Sequence, residues 1–455
     1  MERRTTLALA CGLALAGIGN TAHAANWLML QGVEPPGTAE RAYVWGFIQT
    51  DYQVDTSDPN TTGDFVPPKL LGPDLTSQKA FNVSRARIGV RGSPIPLDNN
   101  VNYFLLVELG NNGITQDQGG SAKFTDASVT LNHIPGARAR IGLFKYPGAE
   151  EGLQAIQVFD YINFTEVTNQ LLLERFPNRV WTPNIQPCDP ETESTTTTSP
   201  ATTAVACDLN GFDRPVGAFR DVGVQLFDAF RQGDWEHTYG VMIGNGNGLS
   251  FSDVDSHKDL YLYLATEKVF SGEGPLREGM KFFAWSQSGK RQFDGNNDGR
   301  YETYDRDRTG AGFKYFAMPW RFTAEYMDGK GMIFNGPDKP TWALTTSTTN
   351  PNGADNGLTA KGSGWYVEGG WYIPGTHWEL DLRYDLYKRL DGSQFQLDWK
   401  AWTFGTQYHL NKKTRITVNY TARDVEAVNF GTGAGPNANL DGIKDRYGIQ
   451  LTAIF

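Results

Sequence analysis

Apolar and polar residues alternate along much of this chain with a period of two. In residues 377–387, apolar side chains from Trp378 to Leu386 share one face of an extended chain, and mostly charged side chains occupy the other face. The same alternation recurs over 415–423 and 447–455. A helix would need its apolar residues three and four positions apart, so these segments are predicted to be β-strands with one apolar face.

Segments of this kind number about sixteen, and they account for most of the chain. They cover approximately residues 43–52, 79–93, 101–109, 124–133, 137–146, 220–231, 234–244, 258–270, 277–289, 309–318, 320–330, 363–373, 376–388, 398–410, 414–423 and 445–455. Most are close to the length of about ten residues that a tilted strand needs to cross the apolar core of a membrane.

The connections between these segments alternate in length along the chain. Every second connection is short, as at 232–233 and 374–375, whereas the others are longer, as at 147–219 and 331–362. A soluble sandwich has no reason to sort its loops in this way, but an outer-membrane barrel has short periplasmic turns and long extracellular loops. Since lipid cannot satisfy an open sheet edge, we predict an all-β fold: a closed, 16-stranded antiparallel transmembrane β-barrel that contacts outer-membrane lipid.

Aromatic residues at the ends of the segments favour this barrel over a secreted β-sandwich or β-helix, in which the strands would also alternate. The interfacial girdle of a membrane barrel requires such residues. Those at the segment ends are Tyr43, Trp45, Trp320, Trp378, Trp399, Trp402 and Tyr447. The chain ends at Phe455, in phase with the apolar face of its segment, which resembles the terminal aromatic read by the machinery that assembles outer-membrane barrels.

Composition excludes two other classes of protein. The 455 residues include 41 Lys and Arg and 51 Asp and Glu, which gives a net charge of −10. An acidic chain lacks the positive surface that nucleic acid requires, so we expect no nucleic-acid partner. After the first 24 residues no uninterrupted apolar stretch of 18 residues occurs, which excludes a protein that crosses the membrane with helices.

The first 24 residues are typical of a secretory signal peptide. Two arginines precede a short apolar segment, and Ala22-His23-Ala24 forms a small-residue cleavage site. The predicted organisation is therefore a signal peptide over 1–24 and a barrel over 25–455, exported through the periplasm to the outer membrane of a Gram-negative bacterium. A lipoprotein anchored through Cys11 is the alternative, but the cleavage site after the apolar segment is the better processing signal.

Cys188 and Cys207 are the cysteines left after the signal peptide is removed. They have 18 residues between them and bracket a tract rich in Thr and Pro. In an exported chain, two such cysteines most simply form one disulfide bond. A metal or redox pair is the alternative, but it would need a nearby histidine or a C-x-x-C spacing, and the sequence has neither there.

A barrel of sixteen strands is too wide for its own side chains to fill, so it encloses a water-filled channel or a plug. The long connection over 147–219 contains an apolar part, 153–173, that would not remain in solvent. We predict that this part folds inward against the wall and constricts the channel.

Charged residues that alternate with the apolar ones would face the channel and set its selectivity. The cations with inward parity are Arg85, Arg87, Arg91, Arg138, Arg140, Arg321, Arg383 and Arg415. Lys145 has outward parity unless a bulge at the strand end turns it, and we include it in the predicted set. Two hypotheses stay open: these cations guide anions, or they pair with inward acids such as Glu108 and Glu325 and only keep the channel wet.

A resemblance to a known family rests on the segment 124–154, FTDASVTLNHIPGARARIGLFKYPGAEEGLQ, together with LERFPN over 173–178 and RARIG over 85–89. These motifs are similar to the phosphate-selective porin O and P family, in which a G-x-F-K-x-P segment leads into the constriction loop. The resemblance covers roughly residues 79–178. It implies a homotrimeric, sixteen-stranded porin of the bacterial outer membrane, with phosphate-like oxyanions as candidate solutes. The acidic composition and the inserted Cys- and Thr-rich region depart from the family's selective members.

A second chemical signal lies in one of the long, extracellular connections, residues 294–305. Oxygen ligands recur there at positions 1, 3, 5, 7, 9 and 12, with a glycine at position 6, which is the spacing of a calcium-binding loop. The ligands of Ca²⁺ would be Asp294, Asn296, Asp298, the backbone carbonyl of Arg300, Glu302 and Asp305. The alternative is a polar loop tip rich in Asn, Asp and Gly. No other cofactor is expected.

The sequence contains no motif of a metalloprotease, a nucleophile-elbow hydrolase or a P-loop enzyme, so we expect no enzymatic activity. The alternative is a barrel hydrolase that assembles a triad across strands, with His377 or His409 as the base. The function that it favours is passive diffusion of small hydrophilic solutes through a porin, with some preference for anions. A non-selective or cation-preferring porin is one alternative. Another is a barrel that serves as a structural sheath or surface receptor for a protein partner.

Overall fold

The structure is a computed structural model, and it describes most of the predicted barrel. The described residues are 26–31, 41–57, 79–94, 97–112, 114–115, 122–173, 217–251, 253, 256–272, 277–293, 302–333, 359–394, 396–433, 437 and 440–455. The segment 1–24, Cys188 and Cys207 lie outside them, so the signal peptide and the disulfide bond remain predictions.

Within the described residues, sixteen β-strands form one sheet. In chain order they are β1 (Tyr43–Asp55), β2 (Lys79–Gly92), β3 (Val101–Glu108), β4 (Lys123–Leu131), β5 (Arg138–Lys145), β6 (Arg220–Gln232), β7 (Trp235–Gly244), β8 (Asp259–Ser271), β9 (Glu278–Phe293), β10 (Glu302–Ala317), β11 (Trp320–Lys330), β12 (Lys361–Tyr372), β13 (Trp378–Arg389), β14 (Leu397–Asn411), β15 (Thr414–Ala427) and β16 (Arg446–Ile454).

The sheet closes on itself. Each strand pairs antiparallel with its neighbours in the chain, and β1 pairs with β16, beginning at Phe47 opposite Ile454. Backbone hydrogen bonds between Gly46 and the terminal Phe455, at 3.1 and 2.9 Å, complete the seam. Because hydrocarbon offers no partner for free backbone groups, this closure lets the sheet cross lipid without an open edge. The predicted 16-stranded antiparallel barrel is confirmed.

Burial in the barrel is the reverse of that in a soluble protein. In β13, the outward Leu380 and Leu382 are each 44% exposed, whereas the inward Asp381 and Arg383 are 5% and 3% exposed. The same pattern recurs around the barrel, with apolar side chains outside and charged side chains buried inside. Soluble proteins almost never bury so many charges, and they rarely expose such a continuous apolar surface. The outer surface is therefore suited to lipid.

Turns at one end of the barrel are short and loops at the other end are longer, as the sequence predicts. Two-residue turns at 233–234, 318–319 and 412–413 join neighbouring strands at the first of these ends. β1 begins and β16 ends there as well. We call it the short-turn end.

Some strands are longer than the sequence predicts, and β10 differs most. β10 begins at Glu302 rather than near residue 309, and Tyr304, Arg306 and Arg308 are buried on its inner face. The outward positions between them are polar, because this part of the strand extends past the apolar band of the barrel. The apolar alternation on which the prediction depended is therefore missing there.

The extension of β10 places two of the predicted calcium ligands in a strand. Glu302 and Asp305 pair with Phe293 and Lys290 of β9. Asp305 also forms an exposed ion pair with Lys330 at 3.7 Å. The other four predicted ligands lie outside the described residues, and calcium binding there remains a prediction.

Short helical segments lie inside the barrel. α1 (Trp27–Leu30) precedes the first strand, and α2 (Glu150–Leu153), a 3₁₀ turn (Ile156–Val158) and a π-helical turn (Thr168–Leu172) follow β5. Most of their apolar side chains join one buried apolar cluster, and Ile156 belongs to a second. Among the described residues, no helix is both long and apolar enough to cross a membrane.

Arginine in place of an outward residue should destabilise the barrel. Leu382 lies near the middle of β13 with its side chain outside, so Leu382→Arg should lower the free energy of unfolding in lipid by about 2–4 kcal/mol. Leu382→Met keeps the apolar outer surface and should change it by less than about 1.5 kcal/mol. Urea titration in phospholipid vesicles measures both variants. Equal stability of Leu382→Arg and the wild type would contradict a lipid-facing position.

Candidate functional site in the barrel lumen

The connection after β5 folds into the barrel and crosses the lumen. We call residues 146–173 the lumenal loop. Its apolar side chains are buried, and Leu153, Val158 and Leu171 are each 1% exposed. Removal of this apolar surface from water explains why the loop lies inside the barrel. The predicted inward-folded constriction loop is confirmed.

Glu150 fastens the start of the lumenal loop to the opposite wall. Its carboxylate accepts hydrogen bonds from Lys281 of β9 at 2.6 Å and from Lys314 of β10 at 3.0 Å. Its backbone N–H donates to Glu325 of β11 at 3.2 Å. Burial by itself raises the pKa of Glu150, but the two ammonium groups outweigh it and hold the pKa below its usual range. The carboxylate is therefore charged and paired at neutral pH.

The middle of the lumenal loop is held by β13. Arg383 lies 3.6 Å from the carboxylate of Glu151 and donates to the carbonyl of Asn163 at 3.1 Å. The backbone N–H of Glu166 donates to Asp385 at 2.8 Å. Burial raises the pKa of Glu151, and burial together with the charge of Asp385 raises the pKa of Glu166 to about 8.

Arginines of the wall also bind backbone carbonyl groups of the lumenal loop. Arg308 of β10 donates to the carbonyl of Leu171 at 2.8 Å. Arg415 of β15 donates to the carbonyl of Phe159. These hydrogen bonds to backbone carbonyl groups fix the path of the loop along the wall.

Arg321 of β11 lies among carboxylates instead. It is 3.1 Å from Asp160 of the lumenal loop and 2.7 Å from Glu379, and it also pairs with Asp381. We call the buried carboxylates of β12 and β13 the acidic wall. Its members are Glu368, Glu379, Asp381 and Asp385. The lumenal loop lies against this wall.

The segment before β1 lies inside the barrel as well. We call residues 26–31 the N-terminal segment. Asn26 donates to Glu236 of β7 at 2.9 Å, and Arg140 of β5 donates to the carbonyl of Gln31. Sequence reasoning missed this segment, because its apolar run directly follows the predicted cleavage site and is too short for a membrane-crossing strand.

The wall formed by β2, β5 and the start of β6 is basic. We call five of its cations the basic wall, and all are between 3% and 8% exposed. They are Arg85, Arg87, Arg91, Lys145 and Arg220. Two of them form ion pairs along the wall: Arg87 with Glu108 at 2.6 Å, and Arg220 with Asp126 at 3.0 Å.

Three cations of the basic wall also contact uncharged groups. Lys145 donates to the carbonyl of Gln154 at 2.8 Å, and Arg85 donates to an amide oxygen of β1 at 3.1 Å. The guanidinium of Arg91 lies 5.6 Å from the ring centre of Tyr43. Two carboxylates, Glu108 and Asp126, pair along this wall of five basic residues, so basic residues outnumber acidic ones in these pairs.

A cavity opens along the basic wall and reaches the short-turn end. The lumenal loop and the N-terminal segment form its other sides. Among the described residues, its charged lining consists of Arg87, Arg91, Lys145, Arg220, Lys413 and Asp126. Five cations beside one carboxylate give this space a positive potential.

The predicted cations divide into three groups. The basic wall contains Arg85, Arg87, Arg91 and Lys145. The first residues of β5, nearer the short-turn end, include Arg138 and Arg140. The lumenal loop is held by Arg321, Arg383 and Arg415. Arg138 pairs with Asp228 of β6 at 3.3 Å. Lys145 lies inside because Gly142, with a φ of 126°, interrupts the alternation of β5. The sequence analysis does not include Arg220 among the inward cations. Arg220 is the first residue of β6, and at the end of a strand the alternation of inward and outward side chains is irregular.

Three of the aromatic residues that the sequence assigns to the outer girdle lie inside instead. Tyr43 and Trp45 line the cavity, and Trp399 is 3% exposed. The assignment was wrong for β1 because both of its faces are apolar in this part of the sequence, so parity does not show which one points outward. Trp320, Trp378, Trp402 and Tyr447 are exposed on the outside.

Comparison with solved structures identifies the fold. No protein-family model and no curated protein sequence matches this chain. The anion-selective porin from Comamonas acidovorans is 14% identical, with a TM-score of 0.51 over 92% of this chain and 100% of that one. The chain has the porin fold.

Two further solved structures are similar at lower TM-scores. OmpF of Salmonella typhi, in complex with daunomycin, is 13% identical, with a TM-score of 0.49 over 91% of this chain and 97% of that one. The outer membrane channel DcaP of Acinetobacter baumannii is 13% identical, with a TM-score of 0.48 over 94% of this chain and 100% of that one.

Removal of the Glu150 charge should loosen the lumenal loop of this porin fold. Glu150→Gln leaves Lys281 and Lys314 buried without their carboxylate, and breaking a buried ion pair costs about 3–5 kcal/mol. Asp305→Asn breaks only the exposed pair with Lys330 and should cost at most about 1 kcal/mol. Thermal unfolding in detergent and limited proteolysis of the loop measure the two effects. The same unfolding temperature for both variants would show that Glu150 does not hold the loop.

Proposed function

We propose that this protein is a porin in the outer membrane of a Gram-negative bacterium, through which small hydrophilic solutes diffuse passively with a preference for anions. The observation that carries the proposal is the position of the open space. The cavity runs along the basic wall, whereas the lumenal loop covers the acidic wall. A solute that passes through the cavity therefore meets mainly cations.

The chemistry of the basic wall suits oxyanions. Guanidinium groups stay protonated at any working pH and can donate two parallel hydrogen bonds to a phosphate-like or carboxylate group. Charges more than about 8 Å away are largely screened at physiological salt. The net charge of −10 over the whole chain therefore need not set the sign of the channel.

A homotrimer is part of the proposal, and the short strands β3 to β5 support it. They have 8, 9 and 8 residues. Eight residues at about 3.3 Å each, tilted by about 40°, span roughly 20 Å, which is less than the apolar band of about 25 Å in a lipid-facing barrel. The part of the barrel formed by β3 to β5 is therefore too short to match the apolar core of the membrane, and contact with another copy of the chain suits it better than contact with lipid.

A cation-preferring porin is the second candidate, and the acidic wall favours it. Against it, Arg321 and Arg383 lie among these carboxylates, and the lumenal loop separates them from the cavity. A sheath around a protein partner would need an empty lumen, which the loop and the N-terminal segment occupy.

Loss of two cations from the cavity should weaken anion selectivity. A positive unit charge within about 4 Å of a passing anion lowers the free energy of that anion by roughly 1 kcal/mol in water, which raises the partition of the anion into the cavity about five-fold. Arg91→Gln together with Lys145→Gln should therefore lower the anion-to-cation permeability ratio several-fold at low salt and less at high salt. Reversal potentials in planar bilayers under a KCl gradient measure the ratio.

The matched control for this experiment is Lys330→Gln, which removes an exposed cation outside the cavity. It should keep the reversal potential of the wild type. A wild type that prefers cations would overturn the proposed function, and a double variant that behaves like the control would show that the basic wall does not select.

A further inference from the structure

Aromatic side chains cover part of the cavity beside the cations. Trp45 of β1, Phe104 of β3 and Trp27 of the N-terminal segment line it together with Arg87 and Arg91. A channel for hydrated ions alone has no need of such rings, since Trp45 and Phe104 are only partly buried and expose apolar surface to water. We propose that the cavity is a binding site for aromatic carboxylates, which carry an anionic group on a flat apolar ring. The proposal rests on the proposed function for the route by which the ligand arrives.

Trp45 fills a space that only a glycine leaves open. It lies opposite Gly89 in the register of β1 and β2, and a Cβ atom on Gly89 would come within 2.8 Å of the indole nitrogen. The indole ring is therefore packed directly onto the backbone of β2. Phe104 stacks beside it, with ring centres 6.0 Å apart. We call Trp45 and Phe104 the aromatic platform.

Guanidinium groups stand on both sides of the aromatic platform. Arg87 and Arg91 are two positions before and after Gly89 on the inner face of β2, which places their Cα atoms about 7 Å from it along the strand. A carboxylate can therefore accept hydrogen bonds from a guanidinium while the ring that carries it stacks on the platform. Both halves of an aromatic carboxylate find a partner in one place.

Two indole N–H groups of residues that line the cavity lack acceptors. The Nε1 atoms of Trp27 and Trp45 are buried, and neither has a hydrogen-bond partner among the described residues. A buried donor without an acceptor is unfavourable, and a carboxylate oxygen is a strong acceptor. Both nitrogen atoms are buried, and that of Trp45 lies against the backbone of β2, so a ligand carboxylate reaches them only if the rings shift; the proposal therefore rests on the ring faces and the neighbouring cations.

Other small ligands fit only half of the site. An inorganic anion such as phosphate would use the cations but gain nothing from the rings. An aromatic cation would stack on the platform but would meet the five cations of the lining. The combination of an aromatic platform with flanking guanidinium groups therefore favours a ligand that is both aromatic and anionic.

Isothermal titration calorimetry on the detergent-solubilised protein tests the site with benzoate, acetate, inorganic phosphate and benzylammonium as probes. We expect benzoate to bind about five-fold more tightly than acetate or phosphate, because only benzoate stacks on the platform. Benzylammonium should bind more weakly than benzoate. Equal affinities of benzoate and acetate, or a benzylammonium affinity equal to that of benzoate, would overturn the proposal.

Two variants place the site on the aromatic platform. Gly89→Ala should displace the indole ring, since the new methyl group would overlap with it, and Trp45→Leu removes the ring. Each should raise the Kd of benzoate by roughly two- to ten-fold. Trp402→Leu, on the outer surface at 47% exposure, is the matched control and should bind benzoate as the wild type does. Unchanged benzoate binding in Trp45→Leu, or an equal loss in Trp402→Leu, would contradict the site.

The two proposals can fail separately. Reversal potentials of the wild type in KCl decide the anion preference without any aromatic ligand. An anion-preferring channel that binds benzoate no better than acetate keeps the proposed function and overturns the binding site. A cation-preferring channel overturns the proposed function, and the calorimetric comparison of benzoate with acetate still decides the binding site.

Discussion

A β-strand in lipid has no partner for a free backbone N–H or C=O group, so the sheet that crosses a membrane has to close. The pairing of β1 with β16 meets this requirement and fixes most of the remaining arrangement. In a closed sheet, alternation sends one side chain to lipid and the next to the lumen, so the charges must lie inside. Sixteen strands also enclose more space than their own side chains can fill, and the lumenal loop occupies part of it.

The lumenal loop lies against the acidic wall and borders the cavity along the basic wall. On one side, Glu150 is bound by two lysines, and the middle of the loop lies against Arg383 and Asp385. Opposite charges neutralise each other there, and the space is filled. On the other side, the basic wall faces the cavity. The groups that border the open space, rather than the net charge of the chain, decide which solutes are attracted.

The sequence predicts the strands well because a barrel wall has one apolar face, and that alternation is strong in strands such as β13. It predicts β10 less well, since part of that strand lies beyond the apolar band. Parity correctly places Arg321 and Arg415 inside, but it cannot show what they bind, because some of their partners lie on other strands and others on a loop distant in the chain. The inward position of Lys145 depends on the backbone conformation of Gly142, which alternation does not predict. The N-terminal segment has no periodic pattern from which its position could be predicted.

The location of anions in the lumen tests this account most directly. Crystals of the protein soaked in bromide, with diffraction data collected at the bromine absorption edge, would show bound anions through their anomalous scattering. We expect bromide beside the cations of the basic wall, within the cavity that Arg87, Arg91, Lys145 and Arg220 line. An absence of bromide there, or rubidium at the same positions in a parallel soak, would contradict a path for anions along the basic wall.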